Sequence, residues 1–173
     1  NMHGKSPKLL HLATHGFYYT PNRAESVDYL KGYTDAMSLS GLVLSGGNAA
    51  WLGKPLPKGV LGGILSANDI ARLDLSNTDM VVLSACQTGQ GKATSEGLYG
   101  LQRAFKKAGV GTIVMSLWSV SDKTTSEFMT TFYERLADKN NGWNKRKAFE
   151  EAKEIIRKKH PDPFHWAAFV MLD

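Results

Sequence analysis

Residues 80–91 read MVVLSACQTGQG. The apolar run stops at Ser84-Ala85, the only cysteine of the chain follows as Cys86, and a glycine-studded loop begins. A run this short, aliphatic and β-branched and closed by small residues, has the form of a strand covered on both faces of a sheet. KLLHLATHG (8–16), VGTIVMSLW (110–118) and FHWAAFVML (164–172) share that form. The position of Cys86 leaves two readings open. It is a small core hydrophobe at a strand end, or it is a nucleophile at a sheet edge.

Helical patterns fill the intervals between these runs. In SEGLYGLQRAFKKAG, Leu98, Leu101 and Phe105 fall on one face and Gly109 sits where a C-cap favours glycine, which predicts a helix from about Glu96 to Ala108. SDKTTSEFMTTFYERLADK predicts a helix capped by Ser121 or Asp122, with Phe128, Met129, Phe132, Tyr133 and Leu136 as its apolar positions. GWNKRKAFEEAKEIIRKKH predicts another, which stops before Pro161. SANDIARL predicts a short helix with Ser66 as N-cap and Asp69 completing a capping box. Strands alternating with helices call for right-handed crossovers and a mainly parallel sheet with helices on both faces. The expected fold is therefore α/β, a three-layer sandwich. Residues 17–63 break the rhythm: they are rich in Gly, Tyr, Ser and Asn, and their one strand candidate is SGLVLSGG (40–47). A stretch of this length outside the α/β rhythm marks a functional region.

With 173 residues and 42% hydrophobic content, the chain can build one compact domain, expected over 1–173. The net charge of +5 raises the question of nucleic acid. Its densest basic run, KRKAFEEAKEIIRKKH (145–160), is interrupted by three glutamates and reads as the solvated face of an amphipathic helix, so no nucleic-acid partner is expected. One cysteine excludes an internal disulfide, and no apolar run approaches the roughly 20 residues of a membrane helix or forms a signal peptide. The expected setting is the cytoplasm, with no membrane partner. Because the chain begins at Asn1 and its first strand follows almost at once, it is expected to be a piece of a longer protein.

In open α/β sheets the ligand crevice lies beyond the carboxyl ends of the strands. His15-Gly16 ends the first predicted strand, Cys86 ends the second, and Ser119 to Asp122 follow the third, so one sheet edge collects an imidazole, a thiol and a carboxylate. A free thiol is only a few per cent thiolate at neutral pH, and an adjacent imidazole activates it or protonates a leaving amine. A tetrahedral intermediate also needs backbone N–H donors, which Gly16 and Cys86 are placed to supply. His11 lies inside the first strand and reads as a hydrogen-bonded core or half-buried residue rather than a catalyst; His3, His160 and His165 match no site. Scattered histidines and one cysteine give no metal-ligand spacing, so neither metal nor other cofactor is expected. TGQGKATSEG fails as a phosphate loop because Ala93 follows Lys92 where Ser or Thr is required, and the safer expectation is mobility over 87–97.

HLATHG (11–16), LSACQTGQG (83–91), SEGLYGLQRAFKKAGVGTIVMSLWSVSD (95–122) and WAAFVML (166–172) together resemble the CHAT domain family. These are caspase-like peptidases of the same clan as separase, gingipain and metacaspase, commonly carried behind TPR repeats. The resemblance runs from Leu9 over nearly the whole chain, and it implies that a further strand and helices of the same domain precede the His-Gly strand. It implies peptide-bond hydrolysis with Cys86 as nucleophile, His15 as catalytic partner, and the amides of Gly16 and Cys86 as oxyanion hole. It also implies that Leu117 to Asp122 border the substrate groove, with Trp118 and Ser119 among the substrate-binding residues. Asp122 corresponds to the acid of a Trp-x-Val-x-Asp pattern that helps separase-like relatives bind a basic P1 residue; capping of the following helix is its competing role. Metacaspases carry an acid two positions before the cysteine, where this chain has Ser84, which implies a weaker pull toward basic P1 and leaves apolar P1 open.

The functional expectation is a cysteine endopeptidase acting on polypeptide and controlled by an upstream TPR-type domain. Its rival is a catalytically silent caspase-like interaction module that binds through residues 17–63. A flavodoxin-like nucleotide binder fits the sheet but lacks a phosphate loop.

Overall fold

The computed structural model describes residues 5–25, 27–56, 58–60, 62–84, 86–87 and 95–173; for residues 23, 86, 87 and 95–98 the description is of the backbone. The chain divides into two compact units, residues 1–113 with Asp173 and residues 114–172.

The first unit opens with β1 (Leu9–Leu12) and β2 (His15–Tyr18), followed by α1 (Pro21–Ala24), β3 (Ser40–Val43), α2 (Gly47–Trp51), β4 (Ile64–Ser66) and α3 (Ala67–Ile70). It continues with β5 (Met80–Leu83), β6 (Cys86–Gln87) and α4 (Ser95–Lys107). Next comes β7 (Thr112–Ser116), which begins in this unit and ends in the second. The second unit adds α5 (Asp122–Ala137), α6 (Lys145–Lys159), α7 (Pro163–Trp166) and β8 (Phe169–Leu172). One sheet has the order β1-β5-β7-β8, with β1 and β5 parallel; the other has the order β4-β3-β2-β6. The protein is thus α/β with a mainly parallel principal sheet, compatible with the expected caspase-like sandwich. Among the described residues no helix is long and apolar enough to cross a membrane.

The strand expectations need correction in several places. KLLHLATHG is not one strand: it is two, β1 and β2, which belong to different sheets. Nor is β1 covered on both faces, since it stands at the edge of its sheet with Leu9, Leu10 and Leu12 half-buried and His11 exposed. Met80–Leu83 is buried at all four residues as expected, but Cys86 and His15 do not end β5 and β1: they open β6 and β2 in the other sheet. FHWAAFVML likewise divides, into the end of α7 and then β8. Pro163 at the start of α7 and the Asp162 carboxylate, which accepts from Phe164 N at 2.9 Å, explain why a helical turn precedes the strand.

The helices follow their sequence signals closely. Ser66 and Asp69 form the capping box of α3, the hydroxyl accepting from Asp69 N at 3.1 Å and the carboxylate from Ser66 N at 3.1 Å. In α6 the buried residues are Ala148, Phe149, Ala152 and Ile156, one stripe at helical spacing that leaves the basic side chains outside it. The second unit is built around aromatic side chains: Phe128 and Phe169 stack at 4.0 Å, and Phe149 meets Phe128 edge-on at 5.5 Å. In the first unit Phe17, Ala24, Leu30 and Leu39 form a buried cluster against which Val43, Trp51 and Ile64 pack.

Candidate functional site

Pairing of β1 with β5 matches Leu9 to Met80 and Leu12 to Leu83. Pairing of β2 with β6 matches His15 to Cys86 and Gly16 to Gln87, also parallel. The offset is 71 residues in both ladders, so the two chain segments leave one sheet and resume pairing in the other without a change of register. His15 and Cys86 therefore become backbone neighbours three positions beyond the last paired residues of β1 and β5, at the carboxyl ends of those strands. That is the edge at which an open α/β sheet builds its sites.

On its other side β2 pairs antiparallel with β3, matching His15 to Val43 and Gly16 to Leu42. The Thr14 hydroxyl donates to the Val43 carbonyl and pins the start of β2 to β3. Gly16 is buried between the two neighbours of β2, whereas the His15 side chain is exposed. His11 and Ser84 share a hydrogen bond of 2.9 Å between Nε2 and Oγ, and Ser84 N donates to the Leu12 carbonyl at 3.1 Å. Partial burial of the ring holds the His11 imidazole below its ordinary pKa. His11 is hydrogen-bonded as expected, but at the edge strand it is exposed rather than core or half-buried, and Ser84, expected at the substrate, bonds to it.

Two depressions open beside His15. The larger, about 560 Å³, runs along His11 to His15 and is bounded across from them by Val43 to Asn48. The smaller, about 200 Å³, lies among His15, Phe17, Tyr19, Val43, Asn48 and Trp51. A tight backbone approach holds α2 in place. Gly46 precedes α2 at φ +84°, a left-handed conformation suited to glycine, and a Cβ on Gly63 would lie 2.5 Å from the carbonyl carbon of Gly46. Within residues 17–63, Phe17, Tyr19, Val43 to Asn48 and Trp51 are the ones that line these depressions. The residues not foreseen are Thr14, Asn48 and Trp51; the signal available was the period-two spacing of His15, Phe17 and Tyr19, which places them on one face.

The remaining candidates lie in the second unit. Trp118 and Ser119 follow β7, and Asp122 is the first residue of α5. The Trp118 indole donates to the Phe164 carbonyl at 2.9 Å, and its ring lies 6.3 Å from that of Phe164. Ser121 is the cap of α5, its hydroxyl accepting from Thr124 N at 3.2 Å. The capping role therefore falls to Ser121, and Asp122 is an exposed residue of the first helical turn. The expected mobility over 87–97 falls mostly on residues outside the described set.

Fold and site together define an α/β protein that presents a histidine and a cysteine as register partners at the carboxyl edge of parallel strands. The chain matches the CHAT domain over residues 1–173 and belongs to that family. It is similar to tetratricopeptide repeat protein 28 of Mus musculus, 33% identical over 111 residues, and to its namesake in Homo sapiens, 32% identical over 111 residues. Each alignment covers 63% of this chain and 4% of the relative, so the chain corresponds to a small part of the length of these curated relatives.

Proposed function

We propose that this CHAT domain is a cysteine endopeptidase in which Cys86 is the nucleophile and His15 its acid-base partner. The observation that carries the reading is the in-register pairing of the two residues in β2 and β6. Adjacent strands lie about 4.8 Å apart, and paired positions share a face of the sheet, a spacing across which a thiol and an imidazole can exchange a proton.

The Cys86 thiolate attacks the scissile carbonyl carbon, forming a C–S bond as the carbonyl π pair moves onto oxygen. The amides of Gly16 and Cys86 donate to that oxyanion. Collapse of the intermediate breaks the C–N bond, and the His15 imidazolium gives its proton to the departing amine. Water, deprotonated by His15, then cleaves the thioester; the acid product leaves and the thiol is restored. The CHAT family resemblance supports Trp118, Ser119 and Asp122 as candidate substrate contacts, with Asp122 as the candidate for recognising a basic P1 residue, and Ser84 as a candidate contact two positions before the nucleophile. Relatives named for tetratricopeptide repeats support control by a repeat domain of the same polypeptide or of a partner.

The test is digestion of a diverse synthetic peptide mixture by the protein, read by mass spectrometry beside Cys86→Ala. Cuts that vanish with the cysteine support the reading, and their P1 residues report on Asp122. An identical product map from the two proteins would refute it and favour the silent interaction module.

A further inference from the structure

Resting on the peptidase reading, we infer that the smaller depression beside His15 is a specificity slot for an apolar side chain on the leaving-group side of the scissile bond. The argument begins with strand order. In β4-β3-β2-β6, β2 lies between β6 and β3, so Cys86 flanks His15 on one side and Val43 on the other. The acyl half of a substrate becomes bonded to Cys86, while the amine half receives its proton from His15. A depression on the β3 side of His15 is consequently on the amine side of the reaction, next to the residue that follows the cleaved bond.

Its walls state the chemistry. Phe17 and Tyr19 repeat at the strand period from His15, and Trp51 at the end of α2 meets the Phe17 ring edge-on at 5.1 Å and the Tyr19 ring at 5.5 Å. Val43 supplies an aliphatic wall, and exposed Asn48 stands at the rim. The volume of about 200 Å³ is below the ~300–1,000 Å³ usual for whole small-molecule ligands, and suits one side chain. Among the described residues no Lys, Arg, Asp or Glu side chain lines it, so a charged side chain would be desolvated there without an ionic partner from them.

The experiment uses peptides in which the residue after the cleaved bond is randomised and the rest held constant. Leu, Met or Phe is expected there at roughly ten- to a hundredfold over Gly. Trp51→Ala should flatten that preference. Because Trp51 also packs on the core, Asn48→Trp is the second variant: filling the slot from an exposed position should shift the preference to Gly and Ala. A separate readout that needs no turnover follows the indole N–H resonance of Trp51, identified with Trp51→Phe, during titration with leucinamide or glycinamide as leaving-group mimics. A shift with leucinamide alone supports the slot even if no cysteine-dependent cleavage occurs, in which case the peptidase reading is what falls. Cleavage that is indifferent to the following residue, or a preference unchanged in both variants, overturns the slot and leaves the peptidase standing. Equal responses to the two amides also overturn it.

Discussion

His15 and Cys86 are register partners across the parallel pair β2 and β6, and they inherit that position from the register of β1 and β5. A one-residue slip of either strand would turn its whole set of side chains to the opposite face, so the pairing that stabilises the sheet also fixes the position of the proposed dyad. His15→Ala should accordingly lower kcat by about 10²–10⁴, the usual range for a positioned acid-base group. His11→Ala, which removes the ring bonded to Ser84, should retain most of the activity. Steady-state kinetics on one cleaved peptide distinguish the two histidines; equal losses would contradict the assignment.

Ser121 and Asp122 separate stability from specificity at the start of α5. Ser121→Ala removes the cap and should cost about 1 kcal/mol in denaturant unfolding. Asp122→Asn keeps the cap and should lose only a few tenths of a kcal/mol from the helix dipole. If Asp122 recognises a basic P1 residue, Asp122→Asn depresses cleavage after Arg and Lys while leaving other cuts in place. Unfolding midpoints and cleavage maps of the two variants check both statements.

Much of this fold is written plainly in the chain, because helices announce themselves through caps and a repeating apolar face. Ser66 with Asp69, Ser121 before α5 and the apolar positions Phe128, Met129, Phe132 and Leu136 are local signals, and the structure follows them. The break in KLLHLATHG is not local. No proline or glycine interrupts residues 9–15, and the change of sheet at Ala13-Thr14 depends on the antiparallel strand β3, which lies far along the chain and holds Thr14 through the Val43 carbonyl. The proximity of His15 to Cys86 was legible from parallel-strand topology. The slot lined by Trp51 was not, because it depends on how α2 folds back through Gly46 and Gly63.

Gly63→Ala should disturb that fold-back. The added methyl would meet the backbone of Gly46 and Gly47, which cannot yield as a flexible side chain can, and α2 would have to shift. Overpacking of this kind costs about 1–3 kcal/mol. Thermal unfolding should show the loss, and the side-chain preference after the cleaved bond should change with it.

Glu127 gives the second unit a dependence on acid. It accepts from His160 at 2.9 Å and pairs with Lys159 at 3.0 Å, and these hydrogen bonds, His160 first, hold its carboxyl below the ordinary 4.5. A carboxyl whose folded pKa is lowered stabilises the native state fully above its unfolded pKa and loses that contribution as pH falls through the folded value. Stability of the wild type should therefore decline from about pH 4.5 downward more steeply than that of Glu127→Gln, as measured by urea unfolding across the acid range.

The most direct test of the dyad needs no substrate. The chain has one cysteine, so the rate of alkylation by iodoacetamide reports on Cys86 alone. Measured against pH, the wild type should show thiolate reactivity persisting well below the ordinary thiol pKa of about 8.5, and His15→Ala should return the profile to that value. Superimposable profiles for the two proteins would contradict the pairing of His15 with Cys86 on which the account rests.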